Sequence, residues 1–543
     1  MGEEYIYSSC FINARAENGN ISGNPLFINT SGDSSTWDFH FRNGSPCIDT
    51  GMLEDAPELD IEGNPRPGQD GKVCMGAYES PEHYTPSAPL PPIRIYVNKN
   101  GNNTSGTSWQ DAFTSITRAL SDVDGENLYG IWVAEGTYKE GDTITVPSRI
   151  DLYGSFKGTE TCLSERSIQK NRTIIDGEES YGCIHNNGTI DGFYVTNGKS
   201  SYGGGIKNMY GSIRNCSIYY NSSTRYGGGI YNESGTVSNS NIYSNSSIKD
   251  GGGIFNSHGT ITKCNINFNS SKDDGGGLRN IGETISCYIY SNSAISDGGG
   301  ICNQGKIINC IFGYNIADNG GGISHHSGNI YNSILFNNLS SENCGGIWNT
   351  YGEIVNTVLY NNVGGILNNE KYYSHVINCI SFQNGAYDIS GDGIVEHSCF
   401  REATGTNGNI NSDPLFENIE GNISSWDFHI RDGSPCIDAG VPDETNYDAC
   451  SPPGKLTLIN DMGAYGGPYN CWGEFFMSKQ DLIDHLLGRK DLSSERLPLA
   501  DKNTDDIIDI ADLVQMMLMY PTPPGFVPPK AELRRGKPPT TTP

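Results

Sequence analysis

No stretch of the chain approaches the roughly 18 consecutive apolar residues that a membrane-spanning helix needs, so no membrane span is expected. Zinc-ligand spacing is equally missing. The 16 cysteines and 10 histidines contain no CxxC and no HxxxH, which removes the common structural zinc sites. Basic residues are scarce, 35 Lys and Arg against 63 Asp and Glu, and the formal charge of −28 argues against nucleic acid and acidic membrane surfaces as partners. The opening Met1-Gly2-Glu3-Glu4 has neither the basic start nor the apolar core of a signal peptide.

What is abundant is repetition. From about Gly203 to Asn384 a near-copy of GGGIxNxxGxIxNCxIxxN returns every 22 to 24 residues. Ile206, Ile230, Ile254, Leu278, Ile301, Ile323 and Ile347 follow one another at steps of 24, 24, 24, 23, 22 and 24. Self-similarity at this period, with β-branched residues and Gly/Asn turns, marks a solenoid in which each repeat is one coil. Leucine-rich repeats share the period, but LxxLxL and a helical half-repeat are missing, so the coil is strand and turn only. Coils stack about 4.8 Å apart, which places equivalent side chains in columns. A column Asn197, Asn221, Asn245, Asn269, Asn292, Asn315, Asn338, Asn362 and Asn384 reads as an amide ladder. The glycine runs supply positive φ and close backbone approach at a corner.

Residues Cys10 to Asp49 echo Cys399 to Asp438 at a constant offset of 389: NPLF against DPLF, Trp37-Asp-Phe-His against Trp426-Asp-Phe-His, and GSPCID in both. A Gly-Ala-Tyr follows each copy, at Gly76 and Gly463. The second copy closes the solenoid, so the first is expected to close another whose coils lie upstream of Met1. Residues 81–92, rich in proline, read as a stiff linker. A cap over 93–180 begins the solenoid of 93–467, with Trp109, Phe113, Ile116 and Leu120 at helical spacing. Such a cap would cover the open edge of the first coil. GIWVAEGTYKE and TITVPSRIDLYGSF read as the first strands, and 396–467 as the closing segment. This opening, with DPLF, GSPCID and GAY at the close, resembles the right-handed parallel β-helix proteins of bacterial surfaces, the polymorphic outer-membrane-protein-like and pectate-lyase-like superfamily. The resemblance implies fold, not activity.

Beyond Cys471 the pattern turns helical: Leu482, Ile483, Leu486 and Leu487 share one face. Then Asp501, Asn503, Asp505, Asp509 and Asp512 place oxygen donors at positions 1, 3, 5, 9 and 12 of a twelve-residue loop, with the Ile507 carbonyl at 7. This EF-hand-like spacing predicts calcium binding. The Asn at position 3, the Asp at 12 and the trailing IADLV resemble a dockerin repeat, which implies a cohesin-like or cell-surface partner for a small α-helical module over 473–520. Asp506 stands where the usual glycine would, and a single loop is present. The tail 521–543, rich in Pro and Thr, reads as disordered.

Cys216, Cys264, Cys287 and Cys310 share one repeat position with Ser240 and Ser333, and read as a stack of small buried residues rather than disulfides. Cys47 with Cys74, and Cys436 with Cys450 or Cys471, are the expected bridges, in loop-rich regions.

The acidic grouping in the coils is Asp250, Asp274 and Asp297, flanked by Asp273 and Asp318. Such a column repels itself by about 1 kcal/mol per neighbouring pair in water. Relief could come from solvent with Lys249 and Lys272, or from a bridging cation; a catalytic use is the third reading. Within the coils no GHG, RIK or NTD motif of the polygalacturonase kind is found, and His325-His326 reads as a surface turn. Tyr202, Tyr210, Tyr219, Tyr226 and Tyr243 could stack on sugar rings or simply face a strand. Three functions stand: a non-enzymatic extracellular spacer or glycan-binding surface attached through the calcium module; a carbohydrate-active lyase or hydrolase, or carbohydrate-binding domain; and a filament subunit self-associating end to end.

Overall fold

The computed structural model describes residues 93–467, except 124–126, 370–372, 422 and 443–459, together with 10–11, 21–22, 27–29, 38–41, 47–48 and 73–74. The predicted linker 81–92, helical module 473–520 and tail 521–543 lie outside the described residues. The chain divides into two compact units, Met1–Ile93 and Arg94–Pro543.

The second unit is a parallel β-solenoid. Its first sheet has 11 strands, from Ile144–Val146 to Ile389–Ser390; its second has 13, from Ile93–Val97 to Ile394–Glu396; its third has 12, from Gly136–Tyr138 to Cys399–Phe400. A fourth sheet of 7 short strands, Lys199–Tyr202 to Leu339–Ser340, runs along the middle coils. Each strand pairs only with its equivalents in the coils before and after, in register: Ile230 opposite Ile254, Val237 opposite Ile261, Ile242 opposite Ile266. Alternation along a strand sends one residue in and the next out. Those three isoleucine-rich columns therefore fill the interior, and all are fully buried.

Corners are made by residues in the left-handed region. One corner column, between second and third sheets, runs Asn215, Asn239, Lys263, Ser286, Asn309, Asn332, Asn356 and Asn378; another, after the third sheet, runs Asn197, Tyr220, Ser244, Phe268, Ser291, Tyr314, Asn337 and Asn361. Asparagine tolerates this conformation better than most residues. The glycine runs do what their composition predicts. Gly251 has φ +69°, and a Cβ on Gly252 would lie 2.3 Å from the carbonyl oxygens of Gly276 and Ser270.

Two asparagine ladders run through the solenoid. In one, each amide from Asn221 to Asn362 donates to the next Asn Oδ1 at 2.9–3.0 Å, and the ladder ends where Asn384 donates to Asp388. Asn197 is not part of it. The rung below Asn221 is Gly198, and Asn197 sits one residue earlier, at the corner, bonded to Asp176. The other ladder closes each IxN strand: Asn186, Asn208, Asn232, Asn256, Asn280 and Asn303. The next rung is His325. Its Nδ1 meets the Asn303 amide at 3.0 Å, while its Nε2 and the Oδ1 of Asn349 above it lack partners. His325 is thus fully buried, not a surface turn. The cysteine column is buried as expected, with thiols aimed at carbonyls such as Thr262 and Ile285 and with no disulfide joining Cys216, Cys264, Cys287 and Cys310.

At the N-terminal end the helix is shorter than its spacing predicts. It spans Ile116–Leu120, N-capped by Ser115, and buries Ile116 and Ala119. Trp109 instead joins Tyr96, Trp132 and Phe156 in a separate aromatic cluster. At the other end, the hairpin Phe416–Asn418 with Asp427–Ile430 packs against the outward column Ile334, Val358, Ile380 and Cys399 of the third sheet. The loop around Gly463 is held by corner asparagines. Asn332 donates to the Ala464 and Gly466 carbonyls, Asn356 to Asn460, and Asn378 accepts from the Gly463 and Val441 amides. This segment therefore covers a side face of the solenoid.

The first unit repeats that hairpin residue for residue. Cys10 pairs with Ile21 as Cys399 does with Ile410, Phe27 with Phe41 as Phe416 with Ile430, and Asn29 with Asp38 as Asn418 with Asp427. Cys47 and Cys74 are both buried and pack with Phe27 and Ile48.

Candidate functional site

The middle residue of each first-sheet strand points outward. In register these are His185, Lys207, Tyr231, Phe255, Arg279, Cys302, Ser324 and Trp348. Beside them runs the column that precedes the glycine runs: Tyr202, Tyr226, Asp250, Asp274, Asp297 and Asn319, linked coil to coil through the adjacent glycines. Together they form one strip along the flank, aromatic at one end and ionic in the middle.

The aromatic end is continuous. Tyr202 lies 5.7 Å from Tyr226 and 5.3 Å from Tyr231, Tyr226 lies 4.8 Å from Phe255, and Tyr231 stacks on Phe255 at 5.5 Å. Arg225 sits over both Tyr202 and Tyr226. A second run of rings, on the outer side of the third sheet, includes Tyr219 stacked on Tyr243 at 5.1 Å with Tyr220 beside it. Tyr220 is 64% exposed.

In the ionic part, Arg279 contacts the Cys302 thiol, which lies 3.8 Å from Asp274 Oδ2. The Asp297 amide donates to Asp274 Oδ1 at 3.3 Å. Asp297 itself accepts from Asn319 at 3.0 Å and faces His326 Nε2 at 3.5 Å. His326 is held by Ser324 and by the edge of Trp348. Burial, then Asp297, Asp250 and Asp273, pushes Asp274 up to about 6 against the pull of Arg279. Burial raises Asp297 too, but the hydrogen bonds from His326 and Asn319 outweigh it, and its carboxyl ends below the usual range. Burial also leaves Asp250 raised, despite Arg279. Neighbouring carboxyls thus hold opposite proton affinities, the pattern that separates an acid from a base.

The predicted acidic column is therefore assembled, but its relief differs from that expected. Arg279 supplies the counter-charge beside Asp274 and Asp297, His326 and Asn319 face the Asp297 carboxylate, and exposed Lys249 acts only weakly on Asp250. Arg279 was legible as the outward residue of a strand next to the aspartates. Arg214 belongs elsewhere, paired with buried Asp191 together with Arg166. Among the described residues, no group of three or more His, Cys, Asp or Glu is arranged to hold a metal ion. The predicted calcium ligands Asp501, Asn503, Asp505, Ile507, Asp509 and Asp512 lie outside the described residues. Among the described residues, too, no helix is long and apolar enough to cross a membrane.

No protein-family model matches the chain, and no curated protein does. Among solved structures, one titled "Crystal structure of pectate lyase Pel9A" is similar at a TM-score of 0.39 and 16% identity, over 69% of this chain and 96% of that chain. The fold assignment rests on the sheet topology itself, which is that of a parallel β-helix.

Proposed function

We propose that the protein is an extracellular or cell-surface β-helix whose flank binds an extended polysaccharide, and that it is tethered to a partner through the calcium loop at Asp501–Asp512. The observation that carries the reading is the continuous ring surface of Tyr202, Tyr226, Tyr231 and Phe255. Aromatic faces stack on the apolar faces of sugar rings, and their coil-by-coil spacing suits a chain lying along the axis. The charge of −28 and the adjoining aspartates favour a neutral glycan over a polyuronate. Calorimetric titration with neutral β-linked hexasaccharides should show binding weakened at least about tenfold by Tyr226→Ala with Phe255→Ala. Equal binding by that variant, or preference for oligogalacturonate, would refute the reading. For the tether, calcium titration should lose its binding in Asp501→Ala with Asp512→Ala.

A second reading, glycan cleavage, is favoured by the opposed proton affinities of Asp274 and Asp297. In it Asp274 protonates the leaving oxygen and Asp297 activates water. New reducing ends, lost in both Asp274→Asn and Asp297→Asn, would establish it; their absence from every glycan that binds would remove it.

A further inference from the structure

We propose that Cys399 and Cys436 are the two halves of a disulfide that fastens the closing segment to the last coil. Cys399 ends the outward column of the third sheet, above Ile380. Cys436 arrives from a different element, the turn of Gly433-Ser434-Pro435, whose backbone is fixed by Ser434 bonding to the Pro414 carbonyl and to the Cys436 amide. Both are buried, 1% and 0% exposed, in one cluster with Phe416, Phe428 and Met462. Both are free thiols in the structure, and each is the largest influence on the proton affinity of the other, Cys399 being lowered and Cys436 raised.

This juxtaposition differs from the cysteine column of the coils. There the side chains come from equivalent corner positions of successive coils and point the same way, a poor arrangement for the near-perpendicular S–S torsion. Here they approach from two separate segments. A second line of support is the internal duplication, in which the same 37-residue step separates Cys10 from Cys47 as Cys399 from Cys436. The strand pairings around both are kept, Cys10 with Ile21 and Cys399 with Ile410, although neighbouring residues have diverged. The bridge replaces the expected partnership of Cys436 with Cys450 or Cys471.

The chemistry is thiol–disulfide exchange. Both S–H bonds break and the Sγ–Sγ bond forms. Two protons and two electrons pass to an oxidising small-molecule disulfide, whose own S–S bond is cleaved to two thiols. Formation accompanies docking of the segment, before Phe428 and Met462 seal the pair.

The full chain, refolded in a mixture of oxidised and reduced glutathione, trapped by alkylation and digested without reductant, should yield the Cys399 peptide linked to the Cys436 peptide. Reduction should lower Tm by about 4 °C, and Cys399→Ala, Cys436→Ala and the double variant should each match the reduced protein. Alkylated thiols at both positions, or Cys436 joined to Cys450 or Cys471, would overturn the proposal. Should the variants fail to fold, the linkage map of the unaltered chain decides alone.

Discussion

The ladder from Asn221 to Asn384 and the column Asp250, Asp274, Asp297 are built alike, one side chain above another at each coil, yet their chemistry diverges. An amide carries both donor and acceptor, so each asparagine satisfies the next and the stack completes itself. A carboxylate only accepts. Its stack must borrow protons and charge from outside, which is what Arg279, Asn319 and His326 provide. Repetition alone therefore stabilises a column only when the repeated group is self-complementary. The interrupted ladder makes the same point, because His325 accepts from below but offers its remaining N–H to nothing.

The largest expected effect comes from breaking the complete ladder. Asn292→Ala removes the acceptor for the Asn269 amide groups and the donor to the Ile266 carbonyl, all buried. Denaturant unfolding should show a loss of about 4 kcal/mol. Next, Arg279→Met strips the aspartates of their cation and should lower stability by about 2 kcal/mol at pH 7, with a smaller loss near pH 4, where Asp274 is protonated but Asp297 is still ionised. In the opposite direction, His325→Asn should restore the missing rung and stabilise by about 1.5 kcal/mol. Burial holds His325 down to about 3, below its ordinary 6.5. Its neutral form is therefore required, and the unaltered protein should lose stability as pH falls from 6.5 toward 3, a slope the variant lacks. The smallest change is Asp274→Asn. Because the folded carboxyl is raised from 3.8 to about 6, its penalty grows as pH rises through that window. After allowing for solvent screening, the substitution should stabilise by about 1 kcal/mol at pH 7 and be neutral below pH 4.

Much of this was readable from residue order. The period gave the solenoid, the glycines gave the tight corner, and the cysteine column was buried as its small size implies. Five features escaped because they depend on register or on the path of the chain rather than on spacing. Asn197 keeps the step of 24 but stands one residue ahead of the rung occupied by Gly198, so counting placed it in the ladder. The second ladder was written in every IxN, yet its inward direction becomes evident only when Ile and Asn are seen to flank an outward residue. His325 and His326 look equivalent as a pair, although strand alternation sends the first inside. Arg279 shares no repeat position with the other arginines, and only the register of the outward column sets it beside Asp274. The meeting of Cys399 with Cys436 depends on a chain reversal over the hairpin, which no local pattern encodes.

The loop around Gly463 grips Asn332, Asn356 and Asn378, which belong to three successive coils. It acts as a splint laid across the grain. A stack held only by neighbour contacts can unspool from its end one turn at a time; here the last turns must yield together, which makes that end the mechanically tougher one.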